Sequence, residues 1–199
     1  MAEVYKFKVK TRGLENHIWR EIEISSESSV AKLGYSILAA FGAKANHLFC
    51  VNTKTMKYEL IMDDFYDVKR TDISPINTKL SELNLKAQDM LVMEYDYGTG
   101  WNFDIEFMSE SQMKQGMGTH YPYISNGAGA GIIEDTSPDI LEQFIDQIDS
   151  TGILPKYYDI ETDKYLEWDY RKFDLKYYNI FYKDKIAEIQ AAYEKFDEQ

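Results

Sequence analysis

A single cysteine in 199 residues excludes an intrachain disulfide. Cys50 lies in the apolar run Leu48-Phe49-Cys50-Val51, where it reads as a small buried hydrophobe and offers no thiolate metal site. No apolar run approaches the roughly 18 residues of a membrane span. Residues 1–10 alternate like a strand and lack the apolar centre of a secretory signal, so a soluble cytoplasmic protein is expected. The motifs of covalent and nucleotide chemistry are also missing. There is no Gly-x-Ser-x-Gly elbow and no Gly-Lys-Ser/Thr phosphate loop, and His17, His47 and His120 have no HExxH spacing. Positive charge is scarce too: 22 Lys and Arg against 34 Asp and Glu leave a net charge of −12. The one regular basic row, Lys6, Lys8, Lys10 and Arg12, reads as the solvent side of a strand. Nucleic acid is therefore not an expected partner, since its binding rests on clustered cations that neutralise phosphates. A basic protein partner or a cation suits the field better.

What the chain does have is aromatic residues, 15% of the total, with 16 tyrosines and 10 phenylalanines. They are best ordered between Leu91 and Phe107. Leu91, Met93, Tyr95 and Tyr97 alternate with Val92, Glu94 and Asp96; beyond Gly98-Thr99-Gly100, Trp101, Phe103, Ile105 and Phe107 alternate with Asn102, Asp104 and Glu106. Period-two patterning about a three-residue Gly-containing turn predicts a β-hairpin with rings on one face and carboxylates on the other. Pairing Tyr97 with Trp101 sets Glu94 opposite Asp104 and Asp96 opposite Asn102. Two like charges facing each other call for a nearby cation, a raised pKa or a divalent ion.

The remaining elements follow in order. Residues 3–11 and 18–24 alternate as two strands. Ser25 to Ser29 supply helix-start chemistry for a helix over 30–42, stopped by Gly42. Strands are predicted at 47–51 and 58–61, an acidic loop at 62–78, and one helical turn at 79–83. Residues 109–135 are Gly-rich. Ser137 and Pro138 open a helix that ends at Gly152, and a last helix covers 183–196. The pattern predicts an α+β fold, a mixed, mainly antiparallel sheet packed on a helix in a β-grasp-like core, with a helical C-terminal extension. One domain over 1–199 is expected: core 1–108, Gly-rich loop and helix 109–152, Tyr-rich extension 153–199.

Several segments together resemble the plasmid pRiA4b ORF-3-like protein family. They are Ile18-Trp19-Arg20, the helix 30–42 followed by His47-Leu48-Phe49, Tyr95-Asp96-Tyr97-Gly98 with Trp101, Tyr121-Pro122, Gly131-Ile-Ile-Glu-Asp135, and Phe173-Asp174 with Asn179. The family's hairpin commonly continues with Asp after the Gly and has His two residues beyond the Trp; Thr99 and Phe103 stand there. Thr136-Ser137-Pro138 replaces the family's proline or Gly-Gly signature around Glu134-Asp135. The resemblance implies an α+β domain without established activity, often encoded near mobile elements.

Candidate binding residues are Arg20, His47, Asp96, Trp101, Asp104, His120, Tyr121, Glu134 and Asp135. Alternation puts Arg20 on the side of Ile18, Ile22 and Ile24, so a buried Arg20 is expected to pair with an acid of the hairpin or of the 134–135 loop. Glu134 and Asp135 precede a helix N-terminus, where the dipole favours their charge. His47 could meet His120 and Asp135 in space, a carboxylate–histidine arrangement that binds metal or moves protons. No organic cofactor is indicated; a divalent metal would take Asp96, Asp104, Glu134 or Asp135. A non-catalytic protein-binding module is the leading functional expectation. The alternative is a metal-dependent hydrolase or nuclease-like enzyme, which requires at least three of these groups to converge.

Overall fold

The computed structural model describes residues 2–59 and 75–194. The end of the strand expected at 58–61, most of the expected acidic loop, and the tail of the helix expected to reach 196 lie outside these residues.

Among the described residues, nine strands and three α-helices follow in the order β1 (Glu3–Thr11), β2 (Trp19–Ser25), α1 (Val30–Ala40), β3 (Phe49–Asn52), β4 (Lys57–Glu59), β5 (Met90–Tyr95), β6 (Trp101–Gln112), β7 (Tyr123–Ala128), α2 (Pro138–Thr151), β8 (Lys156–Asp159), β9 (Lys164–Glu167) and α3 (Leu175–Glu194). A short 3₁₀ turn at Leu80–Leu83 precedes β5. Seven strands form one sheet in the order β4-β3-β5-β6-β1-β2-β7, and β8 and β9 form a separate hairpin. All described pairings are antiparallel. The architecture is α+β, as the patterning predicts.

The sheet sorts its faces by alternation. Tyr5, Phe7, Val9, Ile22, Ile24, Leu91, Met93, Tyr95, Trp101, Phe103, Ile105 and Phe107 all join one buried cluster with α1. The opposite face is ionic: Lys6 meets Glu21 at 2.8 Å, Arg12 meets Asp104 at 2.5 Å, and Lys8 lies over the Trp19 ring at 4.6 Å. Ten of the eleven residues of α1 are buried, because the sheet covers one side and α3 the other. A helix apolar on most sides needs such double cover. α3 supplies it with Tyr182, Ile186, Ile189 and Tyr193, and the Tyr182 hydroxyl donates to the Ser36 carbonyl at 2.8 Å.

Three expectations change. The β5–β6 pairing sets Tyr95 opposite Trp101 and Glu94 opposite Asn102, with Asp104 opposite Val92 and, on β1, Lys10. The turn is longer than three residues because Asp96 adopts φ 51° and its carboxylate caps the loop. Tyr97 therefore leaves the aromatic face and is 47% exposed. The Gly-rich segment contributes β7, and the Tyr-rich segment contributes β8, β9 and the first turns of α3, none of which the patterning foresees.

Arg20 is fully buried, as alternation predicts, but no acid partners it among the described residues. Its Nε donates to the Ala40 carbonyl at 3.0 Å, one terminal nitrogen to Trp19 at 2.8 Å and Ala128 at 2.5 Å, and the other to Gly129 at 2.9 Å. The guanidinium also lies over Phe173 at 4.2 Å, Phe41 at 5.0 Å and Tyr178 at 5.1 Å. Burial pulls its pKa down to about 10, against the Tyr178 and Tyr182 oxygens, so it stays charged at neutral pH. Carbonyl dipoles and ring faces take the place of a carboxylate. Arg20→Met removes all four bonds and strands their acceptors. A loss of about 2–4 kcal/mol in unfolding free energy is expected from urea denaturation; an unchanged midpoint would show that water satisfies the carbonyls equally well.

Candidate functional site

Three segments meet at one corner of the sheet. The first leads from α1 to β3 and carries His47. The second is the β5–β6 turn: the Asp96 N–H donates to the Leu48 carbonyl at 3.1 Å, which extends the β3–β5 pairing and draws Asp96 to His47. The third runs from β7 back across the end of α1, where the Ile132 N–H donates to the Phe41 carbonyl at 2.8 Å. This crossing needs Gly131, because a Cβ there would stand 2.3 Å from the Phe41 oxygen. Beyond it the chain turns at Asp135, φ 58°, and enters α2.

The His47 ring lies between the acids. Its Nε2 is 2.9 Å from Asp135 Oδ1 and 3.7 Å from Glu134 Oε1, and its Nδ1 is 3.6 Å from Asp96 Oδ1. His47, Asp96 and Asp135 each offer one ligand atom within 4.8 Å of the others. The Asp96 and Glu134 side chains are 7% and 6% exposed, against 54% for Asp135. The two buried acids are thus fixed and the third is at the surface. Asp96 accepts from the Gly98 N–H at 3.1 Å, the Thr99 N–H at 3.3 Å and the Thr99 hydroxyl at 2.5 Å. Burial works against its ionisation, but these bonds and His47 hold its carboxyl below the ordinary aspartate range. Glu134 accepts from the Lys44 N–H at 2.8 Å and from the Tyr95 hydroxyl. Burial, and then the bond to Glu134, push the Tyr95 phenol well above its ordinary pKa, so it remains a donor at neutral pH.

Of the sequence candidates, His47, Asp96, Glu134 and Asp135 therefore converge. The others lie elsewhere. Asp104 is held by Arg12 on the ionic face of the sheet. His120 packs against Tyr121 and Tyr123 beside the edge strand β7, away from His47. Trp101 is 1% exposed and Arg20 fully buried, both within the core. Sequence reasoning missed the Tyr95 hydroxyl, the Lys44 amide and the Thr99 hydroxyl. The only available signal for Tyr95 was its position next to Asp96.

The protein is an antiparallel α+β protein with a histidine–carboxylate cluster where three loops meet. It belongs to the plasmid pRiA4b ORF-3-like protein family, whose model matches residues 3–181. The fold is shared with a crystal structure of a protein of unknown function from Methanosarcina mazei Go1, at TM-score 0.67 and 22% identity over 88% of this chain and 97% of that one. No curated protein matches the chain.

The crossing at Gly131 accounts for the placement of Glu134 and Asp135, which makes it testable. Gly131→Ala is expected to lower the melting temperature more than Gly118→Ala, where the new Cβ would meet only Met113 Sδ at 3.9 Å. Equal melting temperatures would mean that the loop can lift from Phe41 without cost.

Proposed function

We propose that the protein binds a divalent metal ion at His47, Asp96 and Asp135, whose ligand atoms lie within 4.8 Å of one another, with Glu134 beside the imidazole. The observation that carries this reading is the convergence of one imidazole and three carboxylates from three separate segments. Ligand atoms about 2.1 Å from a shared ion lie roughly 3–3.5 Å apart, so the set, spread over at most 4.8 Å, would contract slightly around the ion. The carboxylates of Asp96 and Asp135 approach within 4.8 Å, where like charges repel by roughly 3–4 kcal/mol at an effective dielectric constant near 20. Among the described residues no Lys or Arg side chain reaches these acids: the Lys44 ammonium turns instead to Asp159 at 3.2 Å and Glu161 at 3.0 Å. A divalent cation offsets that repulsion at once.

The donor set narrows the ion. Imidazole with carboxylates suits Mn²⁺, Fe²⁺ or Zn²⁺ better than Mg²⁺ or Ca²⁺, which favour oxygen alone. Nε2 faces Asp135 at 2.9 Å and Nδ1 faces Asp96 at 3.6 Å, so the nitrogen that ligates an ion would give up its proton while the other is oriented by the acid it faces. An ion bound there lowers the pKa of a coordinated water, and the reaction class served is hydrolysis. Calorimetry with Mn²⁺ and Zn²⁺ is expected to give saturable one-site binding that His47→Ala and Asp135→Ala abolish. Metal-dependent hydrolysis of a chromogenic phosphodiester should vanish with it. No heat with either ion would overturn the reading.

A second reading, protein binding, is favoured by the outer face of α3. Tyr177, Ile180 and Phe181 are 61%, 60% and 52% exposed and fall at i, i+3 and i+4, a continuous helical stripe. Beside it opens a cleft of about 580 Å³ lined by Trp168, Phe173, Tyr177 and Tyr178. Exposed apolar surface of this kind marks interaction sites. A partner drawn from native lysate by the wild type should be lost with Ile180→Asp/Phe181→Asp; recovery of the same partner by both would count against that face.

A further inference from the structure

The end of α3 reaches the His47 cluster, although it lies beyond residue 181, where the family match stops. Tyr193 is 5% exposed. Its ring stacks on Tyr35 at 5.6 Å with an interplanar angle of 10° and meets the edge of Phe49 at 5.2 Å. Its hydroxyl donates to the His47 carbonyl. The ring is thus anchored by α1 and β3, and the one polar atom it carries points at the backbone of the residue at the centre of the cluster. Burial and the nearby Glu134 charge raise the phenol above its ordinary pKa, which keeps the hydroxyl a donor.

We infer that Tyr193 is a positioning residue of the cluster: by fixing the His47 carbonyl it sets the depth and direction of the imidazole between Asp96 and the Glu134–Asp135 pair. His47 precedes β3 and lies outside its ladder, which runs from Phe49. It therefore lacks the register that a strand imposes on its side chains. Besides the Lys44 N–H to Glu134 and Asn46 N–H to Tyr95 bonds upstream, two bonds hold the carbonyls of Leu48 and His47: Asp96 N–H to the former and Tyr193 hydroxyl to the latter. The second comes from a helix that makes no other polar contact with this segment among the described residues. The last turn of α3 is on this account part of the site as well as a cover for α1. The inference deepens the metal-binding reading and rests on it for its consequence, but the orientation of His47 can be read without metal.

Tyr182 supplies the control. It too is buried on α3 and donates its hydroxyl to a backbone carbonyl, that of Ser36, in the middle of α1. Tyr193→Phe and Tyr182→Phe each remove one buried phenol-to-carbonyl bond and keep the ring, so a purely structural role gives the two variants the same phenotype. The experiment records long-range ¹H–¹⁵N spectra of the His47 imidazole in the metal-free full chain, thermal melts, and calorimetric titration with Mn²⁺ and Zn²⁺. The expected result is that Tyr193→Phe shifts the His47 ring signals and weakens ion binding about tenfold, the scale of a lost outer contact to a ligand. Tyr182→Phe leaves both at wild-type values while lowering the melting temperature comparably. Unshifted His47 signals in Tyr193→Phe would overturn the inference and leave the metal reading standing. Shifted signals with no ion binding by the wild type would sustain the positioning role and overturn the metal reading.

Discussion

The guanidinium of Arg20 is the contact on which the site depends. It accepts no alternative description as a surface charge, since it is fully buried and donates to carbonyls on both sides of the cluster's scaffold: Ala40 at the end of α1, and Ala128 and Gly129 where β7 gives way to the returning loop. These groups are far apart in sequence, and the bonds hold them at one point. Once the end of β7 is fixed to the end of α1, the Gly131 crossing and the Ile132 to Phe41 bond follow within a few residues, and Glu134 arrives beside the Lys44 amide. A buried cation without a carboxylate is costly. It is sustained here because several neutral acceptors and the faces of Phe41, Phe173 and Tyr178 replace its hydration.

The sequence made some of this legible. The inward alternation of Trp101, Phe103, Ile105 and Phe107, the burial of Arg20, and the helix between Ser137 and Gly152 all follow from local periodicity and capping chemistry. The register of the main hairpin does not, because it turns on one residue: Asp96 in a left-handed conformation lengthens the loop and moves every pair by two positions on β5. The partner of Arg20 was out of reach for a different reason. Side-chain arithmetic looks for an acid, whereas the acceptors are main-chain carbonyls, which every residue has and no pattern marks. β8 and β9 escaped because both of their faces are largely open to water, so no alternation records them. The approach of Asp135 to His47 was foreseeable as chemistry, but Tyr95 read only as one of the hairpin's inward rings, and no pattern marked the hydroxyl of Tyr193.

The Tyr95 phenol and the neighbouring amides also explain how so acidic a corner can remain folded. A lysine or arginine would neutralise the charge, yet it would compete with any cation for the same oxygens. Tyr95 and the amides of Lys44, Gly98 and Thr99 stabilise Glu134 and Asp96 as neutral donors. A hydrogen bond to a charged group contributes about 1.5–3 kcal/mol, enough to hold each carboxylate but not to cancel the charge of the group. The negative potential of the corner survives.

That division sets the character of the site. Asp96 and Glu134 are buried, oriented and already bonded, while Asp135 is more than half exposed and bonded to His47 alone among its described side-chain partners. On the metal-binding proposal, a fixed pair with one exposed acid would let an ion enter from solvent past Asp135. Because Asp135 sits at a turn immediately before α2, its movement would need no change in the sheet or in α1. On that proposal the buried, bonded acids would select what binds, and the exposed one would govern how quickly.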